Sequence, residues 1–129
     1  MLAIDTNVVV RLLTNDHPAQ SEKAREVVGG NETFVATTVL LEAAWVLKSV
    51  YGLNGQQVIA ALRILAGLPS VTLEDPALAA FAFACGEGGM DFADALHLGR
   101  AEACEAFLTF DNRFARAASA QGFDNVRVP

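Results

Sequence analysis

The sequence has 129 residues, a formal net charge of −6 and a hydrophobic content of 53%. These values fit one globular domain spanning residues 1–129 with a sizeable core, and they exclude an intrinsically disordered chain. The longest apolar run, residues 77–85, is far shorter than the roughly 20 residues that span a bilayer, so no membrane partner is predicted. The acidic balance argues against a general nucleic-acid binder, except where clustered acids hold divalent cations.

No signal peptide is predicted, because the N-terminus has no basic segment and Asp5 follows almost at once. The two cysteines, Cys85 and Cys104, lie in apolar segments. Without a secretory signal they are interpreted as buried, reduced thiols, which predicts a cytoplasmic location. No spacing of Cys and His residues suggests zinc.

Strand and helix patterns alternate along the whole chain. In order, they predict strand 1–5, helix 6–13, helix 18–28, strand 33–36, a helix capped by Thr37 or Thr38 that runs to about Tyr51, helix 55–66, strand 71–73, helix 77–86, helix 91–103, strand 106–109, helix 112–120 and strand 125–128. The strands are short and almost continuously apolar, as expected for strands buried on both faces. The alternation predicts an α/β fold with a parallel sheet between two layers of helices.

The first strand ends abruptly at Asp5, which is followed by Thr6 and Asn7. A carboxylate at the carboxyl end of a parallel strand stands where open α/β folds place their functional sites. Asp5 or Thr6 is also a suitable cap for the helix that follows. These residues alone leave both interpretations open.

Glu42 is unusual because apolar residues surround it on both sides in the sequence. Helical geometry places it on the same face as Val39 and Val46, with no obviously solvated side. A lone carboxylate buried in this way is unfavourable unless it is paired or bound to a metal. The alternatives are a helix rolled far enough to expose Glu42, or a partner arginine.

Two further aspartates stand at predicted element boundaries. Asp91 is the expected N-cap of its helix, which leaves Asp94 in the first turn without a capping role. Asp111 ends a strand and begins a helix, as Asp5 does. Strands of one parallel sheet share their carboxyl edge, so we expect these acids to approach each other.

Together, Asp5, Glu42, Asp94 and Asp111 predict a site made of carboxylates. Four acids at close range do not all stay ionised without a cation. Oxygen-only ligands suit Mg²⁺ or Mn²⁺. Such a centre activates water for hydrolysis of phosphodiester bonds.

The sequence resembles the PIN-domain ribonucleases, and at this length the VapC-type toxins of bacterial toxin–antitoxin pairs. The matching segments are Leu2-Ala3-Ile4-Asp5-Thr6-Asn7, Thr37-Thr38-Val39-Leu40-Leu41-Glu42, Phe92-Ala93-Asp94-Ala95-Leu96-His97 and Leu108-Thr109-Phe110-Asp111. The resemblance implies a three-layer α/β/α PIN-like domain with a short, mainly parallel central sheet. It also implies an RNA substrate, a Mg²⁺ or Mn²⁺ cofactor and a cognate antitoxin, and we expect a homodimer.

The resemblance assigns metal-binding and catalytic roles to Asp5, Glu42, Asp94 and Asp111, and it places Thr6, Asn7 and Thr109 nearby as supporting or substrate-positioning groups. Many relatives carry a further acid just after the last aspartate. Here Asn112 and Arg113 follow instead, so this chain offers fewer ligands for a second metal. The alternative function is a PIN-like protein-binding module with weak or no nuclease activity.

Other residues near these motifs are interpreted more simply. His97 is expected to pack against its helix, and the arginines at positions 11, 100, 113 and 116 are expected to be surface charges, although contact with RNA is the alternative. The apolar stripe Val58, Ile59, Leu62 and Leu65, with Trp45 on the preceding helix, is interpreted as core, with a partner or dimer surface as the alternative. A phosphoacceptor receiver domain is disfavoured because neither lysine, Lys23 or Lys48, lies near the last strands. A haloacid-dehalogenase-like phosphatase is disfavoured because position 7 is Asn7.

Overall fold

The computed structural model describes residues 1–129 and confirms the predicted alternation of strands and helices. The elements are β1 (Leu2–Ala3), α1 (Thr6–Leu13), α2 (Pro18–Gly30), β2 (Thr33–Val35), α3 (Thr37–Ser49), α4 (Gly55–Ala66), β3 (Val71–Leu73), α5 (Pro76–Glu87), α6 (Phe92–Arg100), β4 (Phe107–Leu108), α7 (Asn112–Ala120) and β5 (Val126–Arg127). The helices and short parallel strands agree with the predicted three-layer α/β/α fold. Most strands are shorter than predicted, and α6 ends before the predicted Ala103.

All strand pairs are parallel, but they form two separate sheets. One sheet has the order β1-β2-β3, and the other pairs β4 with β5. In the first sheet Ala3 lies opposite Phe34, and Phe34 lies opposite Thr72. This register brings the carboxyl ends of β1, β2 and β3 to one edge.

The prediction that every strand is buried on both faces is wrong for β1. Leu2 is 48% exposed, because β1 is an edge strand with a single neighbour. The central strand β2 fits the prediction better, since Thr33 and Val35 are fully buried. The edge beside the first carboxylate is therefore far more open than the centre of the sheet.

The stripe on α4 packs into the core, as predicted. Val58, Ile59, Leu62 and Leu65 are all buried. Helices α5 and α6 pack closely at Gly99, where a Cβ atom would lie 2.5 Å from Cδ1 of Leu78. A larger residue here would require the Leu78 and Phe81 side chains to shift, so Gly99 favours the close packing of α5 and α6.

Side-chain caps define most helix starts. Asp5, Asn54, Asp75, Asp91 and Asp111 each accept a hydrogen bond from a backbone N–H in the first turn of the helix that follows. Helix α3 is different, and the predicted caps Thr37 and Thr38 are wrong. Its N-cap is Ala36, and Glu74 from the end of β3 accepts a hydrogen bond from the backbone N of Thr37 at 2.8 Å.

The two cysteines differ in burial. Cys85 is buried on α5, as predicted, whereas Cys104 is exposed in the segment after α6. The prediction of burial for Cys104 is wrong because the chain leaves the helix at Arg100, before that residue. None of the helices combines the length and apolarity that crossing a membrane requires.

Candidate functional site

The first pair of predicted acids is joined through a threonine. Asp5 ends β1 and caps α1, accepting a hydrogen bond from the backbone N of Val8 at 3.1 Å through Oδ1. The next residue, Thr6, is buried, and its hydroxyl donates a hydrogen bond to Oε1 of Glu42 on α3. Thr6 therefore ties the start of α1 to the second acid. Asn7 is exposed on the first turn of α1.

Glu42 is exposed, so the prediction that it lacks a solvated face is wrong. Helix α3 buries one face through Leu40, Ala43, Ala44 and Leu47. Its opposite face exposes Thr38, Glu42, Trp45 and Ser49, which follow one another at helical spacing. The rolled-helix alternative is the one that the structure shows.

The second group of acids lines a cleft of about 720 Å³. Its walls include Asp91 and Asp94 from α6 and Asp111 from the start of α7, and on the α3 side Leu41, Trp45 and Lys48. Glu42 directly follows Leu41 in the sequence. Asp5 and Glu42 are not among its lining residues.

The two neighbouring aspartates of α6 have different surroundings. Asp91 uses both carboxylate oxygens: Oδ2 accepts from the backbone N of Asp94 at 3.3 Å, and Oδ1 pairs with Nζ of Lys48 at 3.4 Å. The predicted capping role of Asp91 is thus confirmed. Asp94 is partly buried, and its carboxylate accepts no hydrogen bond from the chain.

Burial and the negative charges of Asp91 and Asp111 raise the pKa of Asp94 above its ordinary value. His97 and Lys48 act in the opposite direction without cancelling the shift. The shift shows that Asp94 and Asp111 lie close enough to repel each other. His97 itself is exposed, so the prediction that it packs against its helix is wrong.

Asp111 caps α7 with one oxygen. Its Oδ1 accepts from the backbone N atoms of Arg113 and Phe114, at 2.9 and 3.2 Å. Oγ1 of Thr109 accepts from the backbone N of Asp111 at 3.0 Å, which fixes the turn that carries this acid. Because Asp5 and Asp111 each cap through Oδ1 alone, Oδ2 of each remains for another ligand.

The four predicted acids therefore form two groups, Asp5 with Glu42 and Asp94 with Asp111. No three His, Cys, Asp or Glu side chains lie close enough together to hold a metal ion. The chemistry of the donors nevertheless suits a hard divalent cation. Each of the four carboxylates has at least one oxygen that accepts no hydrogen bond from the chain. A cation would also offset the repulsion around Asp94.

Two cleft residues, Trp45 and Lys48, were not predicted as site residues. Both lie on the exposed side of α3 and line the cleft beside the α6 aspartates. The helical spacing of Thr38, Glu42, Trp45 and Ser49 was the available signal, since three polar residues on one stripe indicate a solvated face.

The fold and these side chains define an α/β protein with Asp91, Asp94 and Asp111 on the walls of one cleft and a second pair of acids, Asp5 and Glu42, linked through Thr6. The chain belongs to the PIN domain family, whose model matches residues 2–120. PIN domains are typically metal-dependent nucleases, and membership indicates a nuclease in general, with RNA as the indicated ligand. No curated protein matches the chain.

Proposed function

We propose that this protein is a Mg²⁺- or Mn²⁺-dependent endoribonuclease and the toxin of a toxin–antitoxin pair. The main supporting observation is the position of Asp94 and Asp111, which line one cleft in a chain that matches the PIN family over residues 2–120. The Thr6–Glu42 hydrogen bond links the second pair of proposed ligands, because Thr6 directly follows Asp5.

Each proposed ligand contributes a carboxylate, and the chain's own residues position it. Asp5, Glu42, Asp94 and Asp111 would hold the cation. When bound, such an ion lowers the pKa of a water molecule and polarises the phosphoryl group. Thr6 orients Glu42, and Thr109 fixes the turn before Asp111. Asn7, exposed beside Asp5, is proposed to position substrate.

Binding of all four acids to one cation requires the two groups to approach each other. Asp5, Glu42 and Asp111 are exposed, so a change of rotamer in these side chains does not disturb the core. The helix caps need not break, because each capping aspartate can bind through Oδ2. Asp91 is not proposed as a ligand, since both of its oxygens are engaged.

The test is cleavage of a single-stranded or looped RNA by the purified chain. We expect cleavage with Mg²⁺ or Mn²⁺, none with a chelator, and loss of cleavage in Asp5→Ala and Asp94→Ala with the fold intact by circular dichroism. Equal cleavage by the alanine variants would show that the activity comes from another site or a contaminant. No cleavage and no metal uptake by the parent chain would favour the protein-binding module.

The toxin role is tested separately in cells. We expect expression of the chain to arrest growth, and co-expression of a small cognate antitoxin from the neighbouring reading frame to relieve the arrest. The Asp94→Ala variant serves as the matched control, because it keeps the protein surface but loses a proposed ligand. Arrest by this variant would contradict a toxin that acts through RNA cleavage.

A further inference from the structure

Trp45 is the only tryptophan in the chain, and its side chain is 64% exposed. The indole ring is thus open to solvent on the side of α3 that lines the cleft. The core-packing interpretation of Trp45 from the sequence is therefore wrong, although it holds for the α4 stripe. On α3 the exposed residues near it at helical spacing are Glu42, Lys48 and Ser49, and the remaining neighbour, Leu41, is partly buried.

This pattern differs from the core of a protein–protein interface. An interface core collects several apolar side chains and excludes charged ones. Among the residues that line the cleft, Trp45 is instead the one large apolar side chain that is exposed, and the charged Lys48 lies beside it. The pattern fits a ligand that has a flat apolar face and charged groups beside it.

The cleft brings this aromatic group to the proposed site. Trp45 and Asp94 line the same cleft, whose volume of about 720 Å³ lies in the usual range for small-ligand sites. Lys48 and Arg113 are exposed cations on its walls, and Arg113 forms no ion pair within the chain. A nucleotide offers the matching groups, a base for the indole ring and a phosphate for the cations.

We propose that Trp45 is a stacking platform for an unpaired base of single-stranded RNA, and that it places the adjoining phosphate toward Asp94 and Asp111. The inference rests on the proposed function, because it takes RNA as the ligand of this cleft. Aromatic side chains stack on bases of any sequence, which suits single strands. A duplex keeps its bases stacked on one another and offers no free face.

Binding is measured in the Asp94→Asn background with Mg²⁺, so that RNA stays intact. A short single-stranded RNA should quench the fluorescence of Trp45, which needs no label because the chain has no other tryptophan. Anisotropy of labelled RNA then compares variants. We expect Trp45→Ala to weaken binding about 5- to 150-fold, the equivalent of roughly 1–3 kcal/mol per stacked base. Trp45→Phe should restore most of the affinity.

Ile64→Ala is the matched control, because Ile64 is also 64% exposed but lies on α4 away from this cleft. We expect it to bind RNA like the parent. Equal affinities of Trp45→Ala and Ile64→Ala would overturn the proposal, as would equal binding of duplex and single strand. A Trp45→Ala variant that changes oligomeric state by sedimentation while keeping its RNA affinity would show a protein interface instead.

Cleavage by otherwise unmodified chains separates this inference from the proposed function. If the Trp45→Ala chain cleaves with the parent's KM, the stacking role is wrong and the nuclease assignment stands. If the parent binds single strands through Trp45 but never cleaves with Mg²⁺ or Mn²⁺, the nuclease assignment is wrong and the stacking role stands.

Discussion

Asp16 and Asp94 both lie in clusters of charged residues, but hydrogen-bond donors surround Asp16 whereas other carboxylates lie near Asp94. Asp16 accepts hydrogen bonds from Tyr51 Oη at 2.7 Å, Thr14 Oγ1 at 3.1 Å and Arg11 Nη1 at 3.3 Å. Asp94 accepts none and lies near two other carboxylates. The hydrogen bond from Tyr51 leads the groups that lower the pKa of Asp16, whereas burial and its acidic neighbours raise the pKa of Asp94.

This difference distinguishes a structural carboxylate from a candidate functional one. The Asp16 cluster joins the end of α1, the start of α2 and the residue two positions beyond the end of α3, and its charges are matched within the chain. The Asp94 cluster keeps an excess of negative charge that Lys48 and His97 offset only in part. A cation from outside would offset it, which is why Asp94 is the proposed ligand and Asp16 is not.

The largest expected effect separates two neighbouring aspartates of α6. Asp94→Asn should lower the rate of RNA cleavage by more than about 100-fold, because even supporting residues of metal sites cost about 10- to 100-fold when they are removed. Asp91→Asn should lower it far less, since asparagine also caps helices and Asp91 is not a proposed ligand. Initial rates with Mg²⁺ measure both, and similar losses in the two variants would contradict the assignment.

The Thr6–Glu42 hydrogen bond should have the next largest effect. Thr6→Val keeps the shape of this buried side chain but removes the donor to Glu42. We expect affinity for Mn²⁺ to fall about 10- to 100-fold, as for other groups that orient metal ligands. Calorimetric titration measures the change, and Thr6→Ser should restore the affinity. An unchanged affinity in Thr6→Val would remove Thr6 from the site.

Helix α3 shows which structural features the sequence predicts and which it does not. Its helical character and the importance of Glu42 follow from local pattern. The exposure of Glu42 does not follow from local pattern, because it depends on which side of α3 faces the core. Apolar residues close to Glu42 in the sequence lie on both the buried and the exposed side of this helix. The cap of α3 is equally non-local, since Glu74 lies 37 residues away from Thr37.

The edge strands show the same limit. The apolar residues of β1 predict a strand but not its number of neighbours, and with one neighbour Leu2 remains exposed. The positions of Asp5 and Asp111 between a strand and the helix that each caps were predictable from local pattern, although β1 and β4 end earlier than predicted. The division of the four acids into two groups was not, because it depends on the packing of α3 and α6.

A smaller effect is expected on the pH dependence of stability, where Asp94 and Asp16 should act in opposite directions. The raised pKa of Asp94 means that its ionised form destabilises the metal-free fold at neutral pH. This penalty begins to decrease as pH falls through the raised folded pKa, and it is absent below the ordinary pKa of 3.8. The lowered pKa of Asp16 means that its ionised form stabilises the fold, and that this contribution is lost as pH falls through a lower folded pKa.

Urea unfolding with a chelator should therefore place Asp94→Asn above the parent in stability at neutral pH, and Asp16→Asn below it. On acidification the Asp94→Asn difference should close first and the Asp16→Asn difference at lower pH. If both substitutions change the free energy of unfolding in the same direction at neutral pH, the Asp16 and Asp94 clusters do not differ as described.

The smallest expected effect belongs to Tyr51→Phe. This change removes the hydroxyl that donates to Asp16 and accepts from Nη1 of Arg11. We expect a slight decrease in Tm by calorimetry, because the cluster is exposed and water replaces part of the lost interaction. Metal affinity should not change. A loss of metal affinity here would link the Asp16 cluster to the site.

Titration of Mn²⁺ into the parent, Asp94→Asn and Asp16→Asn chains tests most directly whether the carboxylates around Asp94 hold a divalent cation. Calorimetry should show saturable uptake by the parent, the same uptake by Asp16→Asn, and uptake weakened by more than about 100-fold in Asp94→Asn. Equal uptake by the parent and Asp94→Asn, or none by the parent, would contradict the proposed metal site.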